Sequence, residues 1–413
     1  MTRCPPRSFL FLQGPPGPFF AELAAGLEAG AHHCTRVNFC GGDRFDWPGP
    51  AYDFAGSFRE WPEVLRTLIE QDAVTDMVLF GDCRPLHAAA RKVANDLRIA
   101  VHVFEEGYIR PDWVTLERGG VNGNSSLPRD PQIYLALAAD QPPVPNFPPI
   151  PASFRQRAIE AFVYFAATAL LTSRYPRYRS HRPDRATAEF AGWAARFSGR
   201  PLARLRSAIT ARQLRGRYFV LPLQLDSDHQ IRVHSPFAGM TEAIEHIVAS
   251  FAAHAPEDLI LVVKEHPLDN GLKGWRRVVR EIARRHGASD RVLFFEHGHI
   301  DALVAAAEGV VTVNSTTGTL ALSAGTPVAV LGTAVYDLPG VTHQGNLDSF
   351  WSAPGSPQLE IYEAFRRVLV MRCLLRGGFS NRNGRAHLVP SAVARLGHTI
   401  AAQAPTRAVK VTA

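Results

Sequence analysis

A chain of 413 residues, 46% hydrophobic and 20% charged, is long enough to bury more than one α/β core, so two domains are expected. Five cysteines, Cys4, Cys34, Cys40, Cys83 and Cys373, form no CxxC pair, which argues against a disulfide framework or a cysteine-based zinc site. The formal charge of +7 is unevenly spread: Pro151 to Arg217 carries fourteen arginines against Glu160, Asp184 and Glu189, a layout that fits either an anionic surface or ligand, or a solvated helical connector.

The first residues, MTRCPPRSFLFL, lack the long apolar region of an export signal. No stretch approaches the roughly 20 apolar residues of a membrane span, so a cytoplasmic protein is expected. From there, short apolar runs break off into polar or glycine residues and give way to helical spacing, the rhythm of a parallel sheet. In the first half these runs are Phe9 to Leu12, Met77 to Phe80 and Ile99 to Phe104. Gln141 to Pro151 (QPPVPNFPPIP) reads as an extended connector, and a basic helical segment follows it. Tyr218 to Leu221, Leu259 to Val263, Val292 to Phe295, Gly309 to Val313 and Pro327 to Leu331 then repeat the strand theme, and Ser356 to Gln403 reads as helices. The expected organisation is two Rossmann-like domains, 1–150 and 217–350, joined by a helical connector at 151–216 and followed by C-terminal helices at 351–413.

Ligands of open parallel sheets bind beyond the carboxyl ends of the strands, and the polar clusters fall there. Glu105 and Glu106 close one strand as an adjacent carboxylate pair, suited to acid–base work or equally to a solvated acidic turn. Asp82, Arg84 and His87 close another, where Asp82 serves either chemistry or helix capping. Lys264 and His266, before Pro267, follow a strand of the second half and are candidates for a phosphate. Asn314, Ser315, Thr316 and Thr317 gather hydroxyls and amides at a helix start, an anion site or a plain N-cap. Gln13 and Gly14 open a glycine- and proline-rich turn without the lysine or spacing of a nucleotide phosphate loop; they and Gln224 are candidate substrate contacts. Neither HExxH nor a spaced Cys/His set is present, so no metal and no cofactor is expected. The apolar run Phe162 to Leu171, flanked by Arg155 and Arg157 and by Arg174, Arg177 and Arg179, reads either as a core helix or as one lying against anionic lipid through those last three arginines.

The blocks FLQGPPGPFF, NFCGGD, FGDCRPLH, FEEGYIRPDWVTLE, GVNGNSSLPRD, LPLQLDSD and KEHP together resemble the KpsS type of capsule polysaccharide biosynthesis protein, over roughly residues 8 to 350. The resemblance implies a GT-B glycosyltransferase, with two Rossmann-like domains facing a central cleft. It further implies CMP-Kdo as donor, phosphatidylglycerol or lysophosphatidylglycerol as acceptor at the inner face of the cytoplasmic membrane, and transfer of the first β-Kdo with retention. A KpsC-type transferase and a capsule ABC exporter would be its partners, and nucleic acid would not. A wider similarity to GT-B sialyltransferases gives Glu105 or Glu106 the proton transfer or nucleophilic attack, with Asp82 a rival, and gives His266, Ser315 and Thr316 the CMP phosphate. On the same reading Arg84 or Arg110 would hold the Kdo carboxylate. A nucleotide-sugar epimerase of like fold and a non-catalytic lipid-binding subunit of capsule export are the alternatives.

Overall fold

Uninterrupted apolar runs form strands buried on both faces, as parallel sheets require. The computed structural model describes residues 5–151, 153–180, 186–226 and 228–397. The strands are β1 (Ser8–Phe11), β2 (His33–Asn38), β3 (Ala51–Asp53), β4 (Asp76–Phe80), β5 (Ala100–Glu106), β6 (Trp113–Arg118), β7 (Tyr218–Pro222), β8 (Ile260–Lys264), β9 (Val292–Phe295), β10 (Gly309–Thr312), β11 (Val328–Val330) and β12 (Leu374–Arg376). The helices of the first half and connector are α1 (Phe19–Ala29), α2 (Gly41–Phe45), α3 (Trp61–Gln71), α4 (Pro85–Asp96), α5 (Pro131–Ala138), α6 (Phe154–Leu170) and α7 (Ala186–Gln213). Those of the second half are α8 (His229–Val233), α9 (Met240–His254), α10 (Trp275–Arg285), α11 (Ile300–Ala305), α12 (Thr317–Ser323), α13 (Leu347–Phe350), α14 (Leu359–Arg372) and α15 (Arg382–Gly397).

The two sheets are wound alike. The first runs β12-β6-β5-β4-β1-β2-β3 and the second β11-β10-β7-β8-β9, with every neighbour parallel except at β6, which pairs antiparallel with β5 and β12. In each, the chain starts in the middle, builds one edge, then crosses to build the other. The reversal leaves a crevice at the carboxyl ends of β1 and β4, and a second at those of β7 and β10. This is the two-domain α/β architecture of GT-B type.

Two features depart from the sequence expectation. Glu105 and Glu106 lie within β5 and not after it, because the antiparallel partner β6 extends the ladder to Glu105↔Thr115 and Glu106↔Val114. The tail is not helical alone: Leu374, Leu375 and Arg376 pair with β6, a strand too short to show as an apolar run. The tail also belongs physically to the first sheet. Phe379 packs edge-on against Phe19 and Phe80 at 5.0 and 5.2 Å, and α15 lies along α1. Its buried Arg385 binds Glu22 of α1, Glu160 of α6 and the Phe379 carbonyl, each at 3.0 Å. The predicted helix beyond residue 397 lies outside the described residues.

The halves touch through α5 against α14 and through a shared apolar cluster that joins Tyr108, Ile109 and Tyr134 to Val310, Tyr336 and Phe365. Polar ties complete the contact: Thr319 Oγ1 donates to the Tyr108 carbonyl at 3.0 Å, and Cys83 Sγ lies 3.2 Å from His234 Nε2. Among the described residues, no helix is long and apolar enough to cross a membrane.

Candidate active site

At the first crevice, Gln13 follows β1 and Arg84 follows β4, and Arg84 donates to Gln13 Oε1 at 3.1 Å. Gln13 is buried, its amide nitrogen 3.0–3.2 Å from Tyr164, Tyr178 and Asp43 oxygens. Asp43 in turn accepts from Arg36, the Phe39 N–H and the Tyr164 hydroxyl, so this fully buried carboxylate has its charge met on every side. In front of that network lies a cavity of about 190 Å³, walled by Gly14, Arg84 and Glu106, by Arg157, Glu160 and Tyr164 of α6, and by Phe80 and Phe379.

The second crevice mirrors the first. Gln224 follows β7 and Asn314 follows β10, and the two exchange hydrogen bonds, Gln224 Nε2 to Asn314 Oδ1 at 3.1 Å and Asn314 N–H to Gln224 Oε1 at 3.2 Å. Beside them, Asn314 and Thr316 line a cleft of about 20 Å³ with Thr333 and Tyr336, closed from the first half by Tyr108 and Asn122.

The acidic pair divides its work by strand geometry, because successive residues of a strand face opposite ways. Glu106 faces the 190 Å³ cavity and lies 3.7 Å from Arg157 and 3.9 Å from Arg110. Glu105 turns toward Gly81, where any Cβ would come within 3.3 Å of its Oε2 on a backbone already at φ +67°. Burial pushes the Glu105 carboxyl up to about 7, with Glu106 and Asp228 adding to the rise while the Glu106 N–H and Arg84 oppose it. A carboxyl poised there exchanges protons at neutral pH.

His266 lies just past the carboxyl end of β8 in the second half. Its Nδ1 accepts from the Leu268 N–H at 3.1 Å, which leaves the ring proton on Nε2. Burial, together with Arg110, Lys264, Arg196 and Arg157, pushes it down to about 4, so it is a neutral donor at pH 7. Two of those cations, Arg110 and Arg157, also flank Glu106. They bring the acidic and imidazole groups of the two halves into one electrostatic neighbourhood.

Other expected residues are occupied elsewhere. Both Asp82 oxygens are engaged, by Val121 N–H, Asn124 and Arg91 on one and by the Cys83 thiol on the other, and Asp82 does not wall the cavity. Lys264 donates to the carbonyls of Glu265 and Glu296 at 2.9 and 3.3 Å, and burial pushes its ammonium down to about 8. Ser315 Oγ accepts from the Thr317 N–H and meets its hydroxyl, a local turn that leads into α12. Arg174 pairs with Asp53 and Arg177 with Glu60, exposed pairs that tie the connector to the first domain; Arg179 is exposed.

In the apolar run Phe162 to Leu171, α6 packs on α2 with Tyr164 buried and Phe162 and Leu170 exposed, and it roofs the cavity. Its Tyr164, an aromatic with a hydroxyl inside an otherwise apolar run, was the available signal, since a buried tyrosine needs a polar partner. Among the described residues, one group has the donors for a metal ion, Asp82, Cys83 and His234, whose ligand atoms lie within 4.8 Å of one another. Arg91 lies 3.3 Å from Asp82, burial and Asp82 push the Cys83 thiol up, and the Cys83–His234 contact ties the two halves.

The profile of a family described as "Capsule polysaccharide biosynthesis protein" matches residues 75–380. The Escherichia coli "Capsule polysaccharide export protein KpsS" is 35% identical over 371 residues, 89% of this chain and 95% of that protein. The Neisseria meningitidis "Capsule polysaccharide modification protein LipB" is 33% identical over 384 residues, 90% and 91% of the two chains. Among solved structures, Thermosulfurimonas dismutans KpsC, a "beta Kdo 2,7 transferase", aligns over 94% of this chain and 98% of its own, with a TM-score of 0.44 and 14% identity.

Proposed function

Because the chain belongs to the capsule polysaccharide biosynthesis protein family, we propose that its crevices carry out a glycosyl transfer, moving the first β-Kdo from CMP-Kdo to phosphatidylglycerol or lysophosphatidylglycerol with retention. The observation that carries the reading is Glu105, a carboxyl held near neutrality at the carboxyl end of β5 beside a second carboxylate, Glu106, that faces a cavity. The donor and acceptor are those implied by the sequence resemblance; the relatives are named for capsule polysaccharide export and modification.

Retention calls for two displacements. Glu106 attacks the anomeric carbon, the bond from that carbon to the CMP phosphate oxygen breaks, and CMP leaves with the electron pair. Its charge meets the Nε2–H of neutral His266 and the guanidinium of Arg110, with Thr316 and Asn314 on the nucleotide side. The acceptor hydroxyl then attacks the same carbon from the face opposite Glu106, the side to which Glu105 turns, its proton passes to Glu105, and Glu106 is released as carboxylate. Arg84 or Arg157 holds the sugar carboxylate. No metal or cofactor enters this scheme. Work on a lipid acceptor places the protein at the inner face of the cytoplasmic membrane, where a KpsC-type transferase would extend the product and an ABC exporter carry it.

Purified protein incubated with CMP-Kdo and a fluorescent phosphatidylglycerol should yield lipid heavier by one Kdo, read by mass spectrometry. Turnover of CMP-Kdo without any acceptor would instead favour an epimerase, and liposome binding with no donor consumed would favour a lipid-binding subunit.

The rate should also follow pH in one direction. Proton uptake by Glu105 requires its ionised form, so kcat/KM rises as pH increases through about 7 and levels off above it. His266, pushed down to about 4, stays neutral and adds no limb between pH 6 and pH 9. A profile flat across neutrality would remove Glu105 from the reaction.

A further inference from the structure

Helix α7 is amphipathic the wrong way round for a helix of a globular domain. Its polar side is the buried one. Arg196 pairs with Glu265 at 3.0 Å, Arg206 holds Glu296 through two bonds of 3.0 and 2.8 Å, and the buried Ser207 accepts from the His297 N–H. These contacts dock α7 across the ends of β8 and β9. The apolar side faces out: Leu202, Leu205 and Ile209, spaced i, i+3 and i+7, are 55%, 58% and 49% exposed, and Phe197 beside them is 46% exposed. Large side chains on one face of a helix, left in water, mark a surface that is covered by something else.

Charge says what covers it. From Phe190 to Arg217 the sequence holds seven arginines and no acid. Arg196, Arg206 and Arg217 are paired with Glu265, Glu296 and Glu308, and exposed Arg200, Arg204 and Arg212 border the apolar face. A second copy of the chain would set arginines against arginines. An anionic bilayer accepts both parts, apolar side chains into the acyl boundary and guanidiniums against the phosphates. We infer that the outer face of α7 is a membrane-docking surface for anionic phospholipid, on which the protein lies with the helix in the plane of the interface. The inference deepens the lipid-acceptor reading, yet its test uses no sugar donor, so the two fail separately. It also shifts the lipid contact from Arg174 and Arg177, which are committed to Asp53 and Glu60.

The test is co-sedimentation with vesicles of equal parts phosphatidylglycerol and phosphatidylcholine, against vesicles of phosphatidylcholine alone. The protein should bind the anionic vesicles and weaken as salt rises. Leu205→Asp with Ile209→Asp should lower that binding by about tenfold or more, with the melting temperature kept, because both side chains are already in solvent. Arg200→Gln with Arg204→Gln should weaken binding at low salt and little at high salt. Undiminished vesicle binding by the Asp double variant overturns the proposal. So does parent protein that is dimeric by light scattering and becomes monomeric in that variant, since the face would then join two copies.

Discussion

Replacing Glu105 by Gln is expected to lower sugar transfer by about a hundredfold or more while leaving the protein at least as stable as the parent above pH 7. The two halves of that result come from one cause. Burial raises the Glu105 carboxyl to about 7 in the folded chain, against roughly 4.3 for a free glutamate. The folded state therefore binds a proton that the unfolded state has released, and the stability this confers is full below the unfolded value and lost as pH rises through about 7. An amide of the same shape avoids the ionised form altogether. The melting temperature of Glu105→Gln relative to the parent should thus rise between pH 5 and pH 8, while the transfer assay collapses at every pH. A merely structural Glu105 would show the first effect without the second. Transfer undiminished in the variant would return the proton to another group and remove the observation on which the proposed chemistry stands.

The strand ends were legible in the sequence because parallel strands must be apolar throughout and stop where the chain meets solvent or ligand. That is how the sequence places Gln13, Arg84, Glu105, Gln224, His266 and Asn314 at carboxyl ends. Which way each side chain turns was not legible. Lys264 reads as a free cation, yet its ammonium is spent on two carbonyls. Asp82 reads as a possible nucleophile, yet Val121, Asn124 and Arg91 saturate its outer oxygen. Such outcomes depend in part on partners 30 or more residues away, Glu296 for Lys264 and Val121 and Asn124 for Asp82, and no local pattern encodes them. The roof of the cavity was hidden for a similar reason: α6 carries the apolar composition of a buried or lipid-facing helix, and only the hydrogen bonds of Tyr164 to Asp43 and Gln13 show what it covers. In α7 the misleading feature was charge, since its arginines read alike in sequence while some anchor the helix and others border its exposed face.

Gly41→Ala should abolish most of the transfer from a position outside the cavity wall. Here α2 meets α6 so closely that a Cβ on Gly41 would sit 2.1 Å from the Ala167 carbonyl oxygen and 2.8 Å from Leu171 Cβ, and one on Gly42 would sit 2.6 Å from the Tyr164 ring. The first obstacle is backbone, already accepting the Leu171 N–H within α6, so it cannot swing aside as a side chain would. The helix must move away by an ångström or more, and with it go Arg157, Glu160 and Tyr164, which wall the cavity. Misplacement on that scale costs about a hundredfold in rate, and the overpacking itself about 1–3 kcal/mol of stability, an amount a protein of this size survives. Circular dichroism should therefore show both sheets intact, while limited proteolysis cuts the connector before α6 faster than in the parent. Leu170→Ala, on the same helix but 82% exposed, is the control: it leaves the α2 contact untouched and should keep transfer near the parent's rate when the acceptor is presented in detergent. If Gly41→Ala transferred sugar at the parent's rate with the connector newly cleavable, α6 would be a dispensable flap, and the cavity beneath it would not be where the transferred sugar sits.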